Sequence, residues 1–122
     1  MDRPVRVLVC GRMEMRAQLA ELLRPHASVV ETSVRDEVLT ANRGQTLDAA
    51  FIDIDRTDQS GLNIAARLRR GKTLRRMRLI AVSASNQTSE LERIRAAGFD
   101  LRVAWPIQAE QVLAAFHTIS KP

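Results

Sequence analysis

Five short runs of apolar and β-branched residues recur along this chain, and each is too short to be a helix. They are Val5–Cys10, Ser28–Thr32, Ala49–Ile52, Leu79–Val82 and Leu101–Ala104. A helical pattern of apolar spacing follows each one. Met15, Leu19, Leu22 and Leu23 share a face before Pro25 ends the first helix. Asp36 to Asn42 gives a weaker second helix, stopped by Asn42-Arg43-Gly44. Ser60 caps a third helix, with Ile64, Ala65 and Leu68 inward and Gly71 at its end. Ser89-x-x-Glu92 has the form of a capping box for a fourth, which runs to Gly98. Val112, Leu113, Phe116 and Ile119 line the fifth. Strict alternation of strand and helix predicts an α/β domain, with a doubly wound five-stranded parallel sheet and five helices on its two faces.

The third run, Ala49-Ala50-Phe51-Ile52, carries no polar residue, as a strand buried on both faces requires. It stops at a carboxylate, Asp53, and a polar loop follows. The carboxyl ends of central strands are where open α/β sheets bind ligands. Asp53 is therefore the first candidate functional residue, against the plainer reading of a strand end that caps the next turn.

At 122 residues the chain suits one domain, 1–122, with no linker or repeat. It is expected either to stand alone or to form the front end of something longer. No apolar run reaches membrane-spanning length and the first residues lack a signal pattern, so a cytoplasmic protein without a membrane partner is expected. The single cysteine fits a reducing compartment. Three Phe, one Trp and no Tyr make a base-stacking surface for single-stranded nucleic acid a poor expectation. The net charge of +5 comes from 19 basic residues, nearly all arginine, which favours contacts with carboxylates and phosphates.

The basic residues are not evenly spread. Arg67, Arg69, Arg70, Lys72, Arg75, Arg76 and Arg78 fall within twelve positions, and no acid lies between Gln59 and Ser89. A solvated helix end explains such a run, because cations favour a helix C-terminus. An anion site explains it too, for nucleic-acid backbone, an anionic nucleotide or an acidic protein surface.

The order of elements resembles the receiver domain of bacterial two-component response regulators from about Val5 to Ile119. The resemblance rests on Asp53 followed eight residues later by Gly61, on Val82-Ser83-Ala84, on Arg95-Ala96-Ala97-Gly98-Phe99-Asp100, and on Pro106 after the fifth strand. It implies a flavodoxin-like sheet of order 2-1-3-4-5 and makes Asp53 the phosphoacceptor position. It also implies a cis bond between Trp105 and Pro106.

In that family two acids ending the first strand hold Mg²⁺, and a lysine ending the fifth strand meets the phosphoryl group. Phosphoryl transfer needs such cations to neutralise the equatorial oxygens. Here the acids fall on Cys10 and Gly11, and the lysine on Trp105. Thiol, hydrogen and indole supply none of that chemistry. Ser83 keeps the hydroxyl position, but the aromatic position three before the lysine is Arg102. The pattern is that of a pseudo-receiver, with Cys10, Gly11, Ser83, Trp105 and Pro106 as degenerate site positions, no metal and no cofactor.

A carboxylate such as Asp53 is costly to bury alone, and Arg12 and Arg56 leave neighbouring strand ends within reach of it. Cys10 reads as a small hydrophobe, and Ser83 lacks a base for nucleophilic work. His26 and His117 share no ligand spacing.

Three functions follow. The first is a non-enzymatic signalling module that acts on another signalling protein or output domain, or pairs with itself through Glu90, Arg93, Arg102, Glu110 and Gln111. The second is a Mg²⁺-dependent receiver phosphorylated on Asp53. The third is a sensor of an anionic ligand, such as a cyclic dinucleotide, through the Arg67–Arg78 segment.

Overall fold

The computed structural model describes residues 4–32, 47–54, 60–70 and 77–120. Its elements are β1 (Arg6–Cys10), α1 (Met13–Leu23), β2 (Ser28–Thr32), β3 (Ala49–Asp53), α2 (Ser60–Arg70), β4 (Arg78–Ser83), α3 (Thr88–Ala96), β5 (Leu101–Ala104) and α4 (Ala109–Ser120). All strand pairings are parallel, and the order is β2-β1-β3-β4-β5. Four helices thus stand among the described residues where five were expected. The expected helix over 36–42 lies outside them.

The strands alternate their side chains between two cores because the pleat has a period of two. Val7, Val9, Ala49, Phe51, Ile80, Val82 and Val103 face Met15, Leu19 and Leu23 of α1 and Val112, Ala115 and Phe116 of α4. Leu8, Cys10, Ala50, Ile52, Leu79 and Ala81 face Ile64 and Ala65 of α2 and Ile94 of α3. The sheet is therefore wound on both sides. β3 is buried at all five positions, as its unbroken apolar run requires. No described helix is long and apolar enough to cross a membrane.

Two boundaries differ from the sequence reading. Helix α3 begins at Thr88 behind Gln87, which makes no side-chain cap, so Ser89 sits inside the helix and the capping box does not form. The turn before it is built one step earlier: the Ser85 amide donates to Ser83 Oγ at 3.2 Å, and the Gln87 amide to Ser85 Oγ at 3.3 Å. Helix α2 begins at Ser60 itself, so Ser60 is its first residue rather than a flanking cap. These arrangements place the carboxyl ends of β1, β3, β4 and β5 along one edge.

Candidate functional site

Asp53 ends β3 with its side chain wholly enclosed. It shares pleat parity with Ala49 and Phe51, so it projects toward the α1 and α4 side. Arg12 approaches from the end of β1. It occupies the N-cap position of α1, where φ of −57° and ψ of 148° turn the chain before the helix starts. An arginine offers no acceptor for the first amides of a helix, and its side chain makes no cap bond there. Instead Arg12 Nε donates to Asp53 Oδ2 at 2.7 Å. The guanidinium carbon also lies 4.8 Å from the centroid of the Trp105 ring, a cation–π distance. Carboxylate, guanidinium and indole form one stack, and 44% of the Arg12 side chain still faces water.

Gly11 closes the other side. Its φ is +153°, and a Cβ built there would lie 2.5 Å from Asp53 Cβ and 2.8 Å from Met15 Cε. The backbone of Gly11 is thus in direct contact with the acid. Its amide donates to the Thr32 carbonyl at 3.1 Å, which fixes it in place. Cys10 does not join this group. It packs in the opposite core with Leu8, Ala50 and Ile52, consistent with the small-hydrophobe reading.

Trp105 and Pro106 are joined by a cis peptide bond. The Trp105 amide donates to the Ser83 carbonyl at 3.0 Å, and Arg102 Nη2 donates to the same oxygen at 2.8 Å. Ser83 is fully buried at the end of β4. Its Oγ is turned to Ser85, donating to the Ser85 carbonyl at 3.3 Å and accepting that residue's amide. The structure therefore brings Gly11, Asp53 and Trp105 together around Arg12, links Ser83 and Arg102 to that group through one carbonyl, and leaves Cys10 on the other face. Arg56, the second proposed partner of Asp53, lies outside the described residues.

A hard divalent cation does not fit this donor set. Mg²⁺ requires oxygen ligands in near-octahedral array with carboxylates supplying net attraction. Among the described residues no group of three or more His, Cys, Asp and Glu stands together, and Asp53 has no second carboxylate beside it. Asp53 Oδ2 is already bound by a guanidinium, and Gly11 has no room for a side chain.

The basic segment is divided. Arg70 carries no described side-chain position, and Lys72, Arg75 and Arg76 lie outside the described residues. Arg67 is exposed on α2. Arg69 is committed to the fold. Its Nε donates to the Gly98 carbonyl at 2.9 Å, its Nη1 to the Met77 carbonyl at 2.7 Å, and its Nη2 to Asp100. Asp100 also accepts the Leu79 amide at 2.9 Å and lies 4.0 Å from Arg78. Gly98, at φ +105°, makes room for this arginine, since a Cβ there would stand 3.0 Å from Arg69 Cγ. Two arginines of the run are thus ion-paired locally.

No family model matches the chain. Curated relatives named stress response regulator protein 1 are similar over part of it. The protein of Candida albicans is 29% identical over 85 residues, covering 70% of this chain and 30% of its own length. That of Debaryomyces hansenii is 27% identical, covering 70% of this chain and 35% of its own. The chain therefore spans about a third of the length of these relatives. Solved structures match nearly end to end. The chemotaxis response regulator CheY4 of Vibrio cholerae superposes with a TM-score of 0.86 at 13% identity, over 96% of this chain and 99% of that one. A response regulator from Thermotoga maritima gives 0.84 at 18% identity, over 96% and 98%. The chain has the fold of a response-regulator receiver domain.

Proposed function

We propose that this chain is a receiver-type signalling module working through protein–protein contact, with its acceptor position neutralised from within rather than by Mg²⁺ and phosphate. The observation that carries the reading is the bond from Arg12 to Asp53 Oδ2 at 2.7 Å. In a phosphorylating receiver, the carboxylate needs a metal to let a second anion approach. Here a fixed guanidinium supplies the positive charge, and it blocks the oxygen that would attack. Gly11 packs against the carboxylate and Trp105 against the guanidinium. The module is then a single domain with no catalytic residue, whose output is set by what binds its surface.

The test is incubation with acetyl phosphate and Mg²⁺, followed by intact mass measurement. The expected result is no added phosphoryl group and no Mg²⁺-dependent change in Trp105 emission. A phosphoryl adduct lost in Asp53→Asn would replace this reading with that of a phosphorylated receiver. One observation favours that second reading: Asp53 stands at the carboxyl end of the central strand, opposite Val82 of β4.

A further inference from the structure

Charge is segregated along the strand axis of this domain. Helices that join parallel strands run back against them, so they begin at the carboxyl edge of the sheet and end at its amino edge. The helix starts carry acids: Glu14 on α1, Glu90 on α3 and Glu110 on α4. The amino edge carries arginines. Arg6 opens β1 and Arg78 opens β4, while Arg69 lies near the end of α2 and Arg95 in the last turn of α3.

The acids of that edge are turned inward. Asp48 Oδ2 accepts the Arg6 amide at 2.8 Å, and the Asp48 carbonyl accepts the Arg78 amide at 3.0 Å. Asp100 accepts the Leu79 amide and Arg69. Three arginine side chains are left facing outward. The Arg6 side chain makes no hydrogen bond or ion pair among the described residues. Nor does Arg95, which is exposed and borders Asp100 and Leu101. Arg78 is 57% exposed and comes no nearer than 4.0 Å to Asp100, a contact of little worth in water.

The helix dipole accounts for part of this pattern. A helix C-terminus carries about half a negative charge, which suits the arginines that end α2 and α3. A sheet has little net dipole. Arg6 and Arg78 stand on strands, so that explanation does not reach them. Arg6 has the pleat parity of Leu8 and faces the α2 side, whereas Arg78 has the parity of Ile80 and faces the α4 side. The two flank one rim, two strand spacings or about 10 Å apart. Arg95, beside the start of β5, lengthens the row to about 14 Å, the rise of about four base pairs of duplex. Glu21 and the Arg24–Glu31 pair belong to α1 and β2, at the margin of the sheet that the row does not reach.

The rim lacks what other anionic partners use. Of the exposed large apolar side chains, Met13 opens α1 at the other edge and Leu91 lies in the first half of α3, so neither offers the rim a bilayer anchor. Phe51, Phe99 and Phe116 are buried and Trp105 follows β5 at the far edge, which leaves a single strand nothing to stack on. Protein interfaces anchor on packed apolar residues. Contact made by charge alone suits a phosphate backbone.

We infer that the amino edge of the sheet, through Arg6, Arg78 and Arg95, binds the phosphate backbone of duplex nucleic acid without reading its sequence. Cations on both sides of one rim match two phosphate strands rather than one. The inference goes beyond the module reading above and is independent of it, since no residue of the Asp53 cluster takes part.

The experiment follows the anisotropy of a short fluorescein-labelled duplex titrated with the full chain. With about three phosphates engaged, the log–log salt slope is about −3, so affinity falls about 40-fold between about 50 and 200 mM salt. Duplexes of unrelated sequence should bind equally, with amide shifts gathered at Arg6, Asp48, Leu79 and Asp100. Arg6→Gln, Arg78→Gln and Arg95→Gln should each flatten the slope by about one, and the triple variant should bind about tenfold more weakly or worse. Arg93→Gln is the control of equal charge and should leave the slope unchanged, because Arg93 is already paired with Glu90. Arg6 and Arg95 have no side-chain bond to lose, so their variants carry the test if Arg78→Gln does not fold. No duplex binding, a slope untouched by the triple variant, or shifts centred on Trp105 overturns the inference. So does equal affinity for polyglutamate, which would assign the rim to an acidic protein. Tighter binding to anionic vesicles than to the duplex would assign it to a membrane surface and overturn it likewise.

Discussion

Arg12 donates its Nε–H to Asp53 Oδ2 at 2.7 Å, joining the start of α1 to the end of β3 across 41 residues of sequence. The two ends of this bond differ in environment. The Asp53 side chain is out of contact with water, whereas Arg12 is half in solvent and stacked on Trp105. The pair is thus a buried charge held by a partly hydrated one, and its two members respond differently to deletion.

Arg12→Ala leaves Asp53 enclosed without this guanidinium. Breaking a fully buried pair costs about 3–5 kcal/mol. Solvent at the vacated position lowers the expected loss to about 1–3 kcal/mol. Asp53→Asn costs less, since Arg12 can turn to water. A urea-denaturation cycle over both sites should give a coupling of about 1 kcal/mol or more. Additive losses would mean that the bond contributes nothing.

Gly11→Ala is expected to be the more damaging change, although it adds only a methyl group. The new Cβ would stand 2.5 Å from Asp53 Cβ, in a backbone conformation that side chains rarely adopt. Strain of that kind costs about 1–3 kcal/mol before the contact is counted. Gly11→Asp should fare no better and should bring no Mg²⁺ affinity, because restoring the acid displaces the carboxylate it must cooperate with. Thermal unfolding with and without Mg²⁺ checks both statements. A Gly11→Asp protein stabilised by millimolar Mg²⁺ would contradict the closed-site geometry.

Trp105 is the only tryptophan, so its emission reports on the site. Removing Arg12 takes the cation from a ring centroid 4.8 Å away. Arg12→Ala should change Trp105 emission in the folded protein, while Arg24→Ala should not. Arg24 pairs with Glu31 on the opposite margin of α1 and serves as a control of equal charge. Identical spectra for the two variants would place Arg12 elsewhere in solution.

Much of this was legible in the sequence because burial leaves a strong signature. Ala49-Ala50-Phe51-Ile52 has one physical home, the middle of a parallel sheet, and the carboxylate after it must find a positive partner or an expensive void. That reasoning points to Arg12 and Arg56, and the structure joins Arg12 to the carboxylate. The role of Arg69 was hidden for the opposite reason. In a run of basic residues nothing marks the one that turns inward, since its partners Met77, Gly98 and Asp100 lie up to 31 positions away. Ser89 misled because the helix takes its N-cap position at Gln87, two residues before the one the capping-box pattern marks.

The division of the basic segment yields the last prediction. Arg69 holds acceptors within the fold through all three guanidinium nitrogens, so turning it toward a polyanion would unfasten the start of β4. Arg69→Ala should therefore lower stability, by about 1–3 kcal/mol for the loss of donors to buried acceptors. If the segment binds phosphate backbone, the contacts come from its other members, and Arg75→Glu with Arg76→Glu should abolish binding while leaving unfolding unchanged. Affinity for a polyanion such as heparin would then fall steeply with salt, on a slope set by the charges engaged. The two variants separate a fold-holding arginine from ligand-holding ones, read by urea denaturation and by salt-dependent anisotropy. Loss of polyanion binding in Arg69→Ala at full stability would reverse the assignment, and salt-independent binding would return the whole run to a solvated surface.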